Sequence, residues 1–319
     1  MLVAQTLEPF AALVQSGSCV TIGNFDGVHT GHQTLLKRVL AKAREQGLAS
    51  VAITFDPHPL RVLQGSSPPF ITLTAQKLEI MEGLGLDGVY CLPFSRDVAR
   101  LEPEEFVRTY MVDGLNIKEL VIGHDYAFGK ERRGDFHMLR ELGEKYGFGV
   151  EQIPPVVVGG GVVSSTRIRK LVEQGRVGEA RPLLGRCYRV VGQVVQGRNR
   201  GARLLGFPTA NLALSDELFP KPGVYAVWAE HQGRFHPAVA NIGYNPTFGN
   251  DVLSVEVHIL DYAQDIYGQD LRVHFVARLR PEKKFAGVEE LMAQIHRDIA
   301  TGRELLAKPG NQPRIPAAG

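Results

Sequence analysis

The feature that most constrains this chain is a change in the order of its strand and helix patterns. Up to about residue 153, short apolar runs typical of strands, such as residues 18–22, alternate with stretches of helical pattern, such as residues 33–45 and 136–146. From residue 188 onward, strand-like runs such as residues 188–195 follow one another directly, and a helical pattern returns only at residues 288–306. The alternation favours a parallel sheet covered by helices on both faces, and the consecutive strands favour an antiparallel barrel or sandwich. The sequence therefore predicts two architectures in one chain.

These two patterns set the expected domains. We predict an α/β domain with a parallel sheet over residues 1–184 and a mainly β domain, an antiparallel barrel with a terminal helix, over residues 185–307. Residues 308–319, rich in proline, glycine and alanine, are expected to be a disordered tail. The length of 319 residues agrees with about two domains.

Composition narrows the classes of partner. The net charge is only +2, which argues against a dedicated nucleic-acid or membrane-surface binder. The three cysteines form no CxxC pair, and no run approaches the roughly 18 apolar residues of a membrane span. We expect a soluble, cytoplasmic protein whose partners are small molecules, with neither nucleic acid nor a membrane among them. Transient self-association stays open.

A segment containing glycines and histidines follows the first buried run. In TIGNFDGVHTGH, residues 21–32, His29 and His32 stand on either side of Gly31, just before a helical pattern begins. Glycines let a backbone approach an anion, helix-start N–H groups point at it, and imidazoles add donors. A phosphate cradle is one interpretation, and a turn that the histidines merely cap and pack is the other. A metal site is disfavoured because no HExxH motif or suitably spaced cysteine accompanies the pair.

Three later segments carry further polar residues. FDPHP at residues 55–59 and GHDYAFGK at 123–130 both follow predicted strands, where ligands of a parallel sheet usually bind. GHDYAFGK is not a P-loop, because five residues separate its glycines and a glutamate follows its lysine. SSTRIR at residues 164–169 reads as a capped helix start.

The second half contains a plausible anion-binding loop and two oxygen donors. Residues 196–205 include Gly197, Gly201 and three arginines, so this loop can wrap an anion. Thr209 and Asn211, two positions apart in the string PTAN, offer the hard oxygen ligands that Mg²⁺ prefers. Phosphoryl transfer from ATP needs such a loop and such ligands.

Glu256 stands inside a strand pattern, LSVEVHIL at residues 253–260. Alternation places Ser254, Glu256 and His258 on one face, with apolar residues on the other. An isolated glutamate in a strand is most often a solvent-facing residue. The functional interpretation is that Glu256 orients an attacking hydroxyl and takes its proton.

In order and spacing, these motifs together resemble one family, the bacterial bifunctional riboflavin kinase/FMN adenylyltransferases, also called FAD synthetases. HxGH resembles the nucleotidylyltransferase signature, and GFPTAN, PGVYAV, NIGYNPTFG, SVEVHILD and RPEKKF follow the order of the riboflavin kinase module. The resemblance spans roughly residues 18–306. It implies a Rossmann-like nucleotidylyltransferase domain before a riboflavin kinase barrel, with ATP as co-substrate and Mg²⁺ as the divalent cation.

For the first domain, the resemblance implies that His29 and His32 hold the phosphates of ATP while the FMN phosphate attacks the α-phosphorus. The other residues implied to bind nucleotide are Gly23, Asn24, Phe25, Asp26, Gly31, Ser165, Thr166 and Arg169. Asp26 has a turn role as its alternative, since Asp-Gly is itself a turn signal. His58 and Asp125 are implied to lie near flavin or adenine.

For the second domain, the resemblance implies that Glu256 takes or orients the proton of the riboflavin 5′-hydroxyl. Residues implied to bind ATP are Gly197, Gly201, Pro208, Thr209 and Asn211, of which Thr209 and Asn211 would hold Mg²⁺. The expected function is synthesis of FMN from riboflavin, followed by synthesis of FAD and pyrophosphate from FMN. Two alternatives stay open, a flavin-binding regulatory protein without turnover and an adenylyltransferase for another phosphorylated cofactor precursor.

Overall fold

The structure is a computed structural model that describes residues 1–124, 126, 128–129, 134–196, 207–215, 217–247 and 250–313, without the side chains of residues 245–252. The chain divides into two compact units at the bond between Ser164 and Ser165. None of the helices in the described parts of the chain is long and apolar enough to cross a membrane.

The first unit is built on a six-stranded parallel sheet with the order β1–β4–β3–β2–β5–β6. The strands are β1 (Leu2–Ala4), β2 (Ser18–Ile22), β3 (Ala49–Asp56), β4 (Gly88–Pro93), β5 (Ile117–Gly123) and β6 (Gly149–Ile153). All pairings in this sheet are parallel, so the carboxyl ends of the strands share one edge. From β2 the chain first adds strands on one side and then crosses to the other, which makes the end of β2 a topological switch point, the usual place for a ligand.

Helices cover both faces of the sheet. They are α1 (Thr30–Gln46), α2 (Pro59–Gln64), α3 (Thr74–Gly83), α4 (Arg96–Arg100), α5 (Pro103–Phe106), which continues as a π-helix over Val107–Asp113, and α6 (Phe136–Tyr146). Cys19 of β2 packs on one face with Leu36 of α1, and Val20 packs on the other with Leu139 of α6. All five residues of β2 are buried, as expected of a strand covered on both sides.

The second unit contains a closed antiparallel barrel with the order β10–β13–β12–β11–β14–β9. A hairpin of β7 (Val157–Val158) and β8 (Gly161–Val162) ends the first unit. The barrel strands are β9 (Tyr188–Val195), β10 (Ala210–Leu212), β11 (Gly223–His231), β12 (Arg234–Thr247), β13 (Asn250–Ile259) and β14 (Asp270–Arg280), and the helices are α7 (Ser165–Glu173), α8 (Val177–Leu184) and α9 (Val288–Ala307). The predicted fold class, with a parallel sheet followed by an antiparallel barrel and a terminal helix, is confirmed.

A buried ion pair anchors α9 on the barrel. The carboxylate of Asp298, which is 6% exposed, accepts hydrogen bonds from Arg280 Nε at 3.0 and 3.1 Å and lies 2.9 Å from a terminal guanidinium nitrogen. One helical turn later, a Cβ at Gly302 would lie 3.2 Å from Val239 of β12, so the helix approaches the sheet closely there.

Residues 308–313 belong to the segment predicted to be disordered, yet they pack against the barrel. The Trp228 indole donates to the Asn311 carbonyl at 2.8 Å, and Arg181 donates to the Asn311 side chain and to the Gln312 carbonyl. These contacts satisfy polar groups of the turn Pro309–Asn311, an arrangement that a proline- and glycine-rich composition does not reveal. Residues 314–319 lie outside the described residues.

We expect Asp298→Ala to lower the free energy of unfolding of the barrel by about 3 kcal/mol, because it leaves the largely buried Arg280 without its partner. Trp228 is the single tryptophan of the chain and lies in β11, so its fluorescence during denaturant unfolding reports on this unit.

Arg303→Ala is the matched control, since Arg303 of the same helix is 47% exposed and pairs with Asp261, which is 73% exposed. That change should cost less than about 1 kcal/mol. Equal losses in the two variants would show that the Arg280–Asp298 pair does not anchor α9.

Candidate active sites

The loop of residues 23–29, here called the β2–α1 loop, leaves β2 at the switch point of the sheet. Its backbone has positive φ at Phe25 (49°), Gly27 (84°) and Val28 (34°). Phe25 and Val28 are not glycines, and such a conformation persists only where the surroundings impose it. Their side chains supply that constraint, since they are 1% and 0% exposed in the core under α1.

His29 caps the helix that follows this loop. Its Nδ1 accepts a hydrogen bond from the His32 backbone N–H at 3.2 Å, and its ring stacks on the His32 ring at 3.6 Å with 16° between the planes. Because Nδ1 accepts, the proton of the neutral ring is on Nε2. The helix therefore begins at Thr30 and not at Gln33, where the apolar pattern placed it. Histidine is not among the preferred N-cap residues, so propensity gave no signal for this start.

Gly31 makes the stacked arrangement possible. A Cβ at this position would lie 3.1 Å from both Cε1 and Nδ1 of His29, closer than carbon atoms normally approach, and 4.0 Å from the Val163 carbonyl oxygen. The glycine therefore lets the imidazole lie flat on the first turn of α1. Val163, at the end of the first unit, also borders this turn.

Asp26 holds the β2–α1 loop to the segment that enters α3. One carboxylate oxygen accepts from the backbone N–H groups of Ile71 at 3.0 Å and Thr72 at 3.1 Å, while the Gly27 N–H donates to the Thr72 hydroxyl at 3.0 Å. Asp26 and Thr72, whose side chains accept these hydrogen bonds, are both almost fully buried. These contacts give Asp26 a structural role that connects two segments, and its predicted nucleotide role stays a prediction.

His58 lies just beyond β3, at the same edge of the sheet. Its Nδ1 accepts from the Leu60 N–H at 3.2 Å and so caps α2, and its ring centroid is 5.9 Å from that of Phe70. Asp125, the other predicted flavin neighbour, lies outside the described residues.

Ser165, Thr166 and Arg169 occupy the first turns of α7, where a helix start was predicted. Thr166 is exposed, and Ser165 and Arg169 are half-buried. The helix begins the second unit, and its buried side chains are those of Ile168, Leu171 and Val172.

In the barrel, strand register places three polar residues side by side. Asn211 of β10 is directly opposite Glu256 of β13, which is directly opposite Asn241 of β12. We call these three residues the outer-face row. All three are half-buried, and the alternate residues Val255 and Val257 point into the barrel. The predicted alternation in this strand is confirmed, and β10, only three residues long, is a barrel strand that the sequence pattern did not predict.

Aromatic and charged groups border the outer-face row. The His258 ring donates from Nδ1 to the Pro208 carbonyl at 2.8 Å. The Phe207 ring lies 5.5 Å from His258 and 5.2 Å from His296 of α9. A Cβ at Gly243 would collide with the carboxylate of Glu282, so the missing side chain admits this carboxylate beside the row.

A cavity of about 240 Å³ opens next to Thr209. Its walls include Val194, Val257, Ile259, Tyr262 and Tyr267. The Tyr262 hydroxyl is held at 2.8 Å from Nδ1 of the buried His231, which fixes this wall. Gly197 and Gly201, predicted to bind ATP, lie outside the described residues.

The donor set in the barrel suits magnesium. Among the described residues, no group of three or more histidine, cysteine or acidic side chains could hold a metal ion. Thr209 and Asn211 instead offer neutral oxygens beside the Glu256 carboxylate, and Mg²⁺ typically takes few protein oxygens together with substrate phosphates. These residues therefore fit the ion that the sequence predicted.

Comparison with known proteins identifies both units. The family model described as FAD synthetase matches residues 12–167, and the model described as riboflavin kinase matches residues 184–306. A bifunctional riboflavin kinase/FMN adenylyltransferase of Pseudomonas fluorescens is 40% identical over 292 residues, which cover 91% of this chain and 94% of the relative. This chain belongs to the bifunctional riboflavin kinase/FMN adenylyltransferase family. The resemblance inferred from the motifs is confirmed.

Two further proteins are similar to this chain over nearly its full length. The Escherichia coli K12 bifunctional riboflavin kinase/FMN adenylyltransferase is 39% identical over 299 residues, 92% of this chain and 95% of that protein. A solved Streptococcus pneumoniae structure, described as a macrolide-efflux protein, superposes with a TM-score of 0.85 at 34% identity and covers 95% of this chain. It spans both units, so the order of sheet and barrel is shared.

The boundary between the family's two modules stays a prediction. Neither family model covers residues 168–183, which form most of α7 and α8. In the structure these helices contact each other, and α8 contacts β9 and β14 of the barrel. The sequence pattern placed the boundary after residue 184 because helical spacing persists up to that point.

We expect Gly31→Ala to lower kcat/KM for FAD formation about 10-fold, because the added methyl group displaces the stacked His29 ring by a few tenths of an ångström. FAD formed from FMN and ATP is measured by chromatography. FMN formation from riboflavin by the same sample is the internal control and should not change. An unchanged rate of FAD formation would show that the stacking has no role in the reaction.

Proposed function

We propose that the barrel of this chain phosphorylates riboflavin to FMN at the outer-face row, and that the sheet unit adenylylates FMN to FAD at the β2–α1 loop. The observation that carries the proposal is that each family model covers one candidate site and that each site holds a positioned group suited to its reaction. ATP is the co-substrate in both steps, so the small-molecule substrates are riboflavin, FMN and ATP.

In the barrel, Glu256 is the group that orients the riboflavin 5′-hydroxyl and takes its proton as the oxygen attacks the γ-phosphorus. Asn211 is directly opposite, so its Cβ lies about 5 Å from that of the glutamate. Thr209 and Asn211 hold Mg²⁺, which when bound neutralises phosphate charge. The cavity beside Thr209, which Val194 and Val257 line together with the polar Gln264, takes the adenine. Pro208 with Gly197 and Gly201 completes the ATP site.

In the sheet unit, His29 and His32 donate hydrogen bonds to the phosphates of ATP. The cap fixes the His29 proton on Nε2, and the start of α1 adds backbone N–H groups and the positive end of the helix dipole. The FMN phosphate oxygen attacks the α-phosphorus, the bond to the β-phosphate breaks, and pyrophosphate leaves. No covalent enzyme intermediate is needed, so the residues act by positioning and by charge stabilisation.

The other predicted residues complete this second proposal. Gly23, Asn24, Phe25, Asp26 and Gly31 form or hold the β2–α1 loop. Ser165, Thr166 and Arg169 bind the leaving pyrophosphate through a helix start and a guanidinium group. The three residues lie in the first turns of α7, which begins at Ser165. His58 and Asp125 contact the flavin.

We also propose that the protein is cytoplasmic and that its domains span residues 1–184 and 185–307. Its activity needs neither nucleic acid nor a membrane. The alternatives are a regulatory protein without turnover and an adenylyltransferase for another precursor. Family membership over both units and the Asn211–Glu256 register favour the bifunctional enzyme over either.

We expect His29→Asn to lower kcat for FAD formation about 10²- to 10³-fold, since asparagine keeps a capping oxygen but removes the Nε2 donor. His29→Ala should give the same loss and also destabilise the sheet unit by about 1 kcal/mol, because the cap is lost. Rates are measured with FMN and ATP as substrates. Normal FAD formation by a folded His29→Asn enzyme would contradict the role of the ring.

We expect Glu256→Gln to lower kcat for FMN formation about 10²- to 10⁴-fold, because an amide cannot take the hydroxyl proton. FAD formation from supplied FMN should remain at the wild-type rate. Glu289→Gln, an exposed glutamate of α9, is the control and should leave both rates unchanged. Loss of both reactions in folded Glu256→Gln would contradict the assignment of two separate sites.

A further inference from the structure

A lysine is buried behind the β2–α1 loop. Lys77, on the second turn of α3, is only 6% exposed. Its ammonium donates to the Thr54 hydroxyl at 2.8 Å and to the Asn24 carbonyl at 3.2 Å. Among the ion pairs of the described residues, none involves Lys77. Burying an ammonium group without a paired carboxylate is costly, so its retention here calls for a physical reason.

The position of Lys77 ties it to the candidate nucleotide site. Thr54 is near the carboxyl end of β3, and Asn24 is the second residue of the β2–α1 loop. Asp26 and Gly27 of the loop form hydrogen bonds with residues 71 and 72, just before α3. Lys77 adds a further hydrogen bond from α3 to the same loop. Neutral donors would be enough to hold the loop in place, whereas the ammonium group of Lys77 also carries a positive charge.

We propose that Lys77 is a positioning residue for FMN adenylylation, whose buried ammonium holds the Asn24 carbonyl and supplies fixed positive charge behind the loop that receives the phosphates of ATP. This inference rests on the function proposed above for the sheet unit. Lys77 acts through the loop and does not touch the reacting atoms. In a buried, low-dielectric setting, such a charge is weakly screened and favours the negative charge that gathers on the phosphates in the transition state.

The charge state of Lys77 gives a distinctive pH dependence. Burial lowers the pKa of Lys77 below its ordinary value, opposed by Cys91, Asp26 and Asp56, the groups that face it from β4, the loop and β3. Burial raises the pKa of the Cys91 thiol, so its opposing charge develops only at higher pH and the carboxylates of Asp26 and Asp56 oppose the effect of burial below that. The lysine is charged below its lowered pKa and loses its proton as the pH rises through it. The rate of FAD formation should therefore fall at a lower alkaline pH than the deprotonation of an ordinary lysine would cause.

The test compares Lys77→Met and Lys77→Arg in the full chain with FMN and ATP as substrates. Lys77→Met should lower kcat for FAD formation about 10-fold, leave KM for FMN unchanged, and abolish the alkaline fall. Lys77→Arg keeps the charge and should move the alkaline fall to higher pH, because a guanidinium stays protonated. FMN formation by the barrel checks the integrity of each sample, and Lys37→Met, an exposed lysine of α1, is the matched control.

The outcomes separate this inference from the proposed function. A wild-type chain that forms no FAD contradicts the proposed function itself. A wild-type chain that forms FAD, with a Lys77→Met variant of equal kcat and an identical pH profile, overturns the role of Lys77. If Lys77→Met does not fold, the wild-type and Lys77→Arg profiles decide, and an alkaline fall that is absent or does not shift overturns it. A merely structural lysine would change the amount of active enzyme but not the position of this fall.

Discussion

The hydrogen bond from the His32 backbone N–H to His29 Nδ1 decides where α1 begins, and the candidate adenylyltransferase site depends on that start. It places the first helical turn directly beyond β2, at the switch point of the sheet, where the N–H groups of the helix point outward. It also fixes the tautomer, so that the ring carries its proton on Nε2. Gly31 is required because any side chain there would meet the His29 ring. One cap thus links the sheet, the helix and the donors proposed to hold ATP.

Barrel closure has the corresponding role in the kinase unit. Because β9 pairs with β10 and the ring of strands is closed, β13 cannot slip relative to its neighbours without breaking the whole circuit. A slip of one residue would turn Glu256 into the core and Val257 outward. The strand register therefore keeps the valine side chains in the apolar interior and the outer-face row on the outside of the barrel. The Arg280–Asp298 pair adds to this by fixing α9, which carries His296 at the border of the row.

The sequence allowed the main architecture to be predicted because buried strands and amphipathic helices leave periodic patterns. The strands at residues 18–22 and 188–195 and the helix at 136–146 have the predicted bounds. The short strands β1 and β10 escaped prediction, since three residues are too few to show a period. Lys77 escaped for a different reason. Its partners, Asn24 and Thr54, are 53 and 23 residues away, and no local motif marks such contacts.

The central claim is that one chain carries out two reactions at two sites. An experiment with labelled ATP tests this claim most directly. The full chain is incubated with riboflavin, Mg²⁺ and ATP labelled either at the γ-phosphate or at the α-phosphate, and the flavins are separated by chromatography. The account predicts that the γ-label enters FMN first and FAD later, because the kinase transfers that phosphoryl group to riboflavin. It predicts that the α-label enters FAD only, since the adenylyl group is added to FMN. Label in neither flavin, or α-label in FMN, would contradict the account.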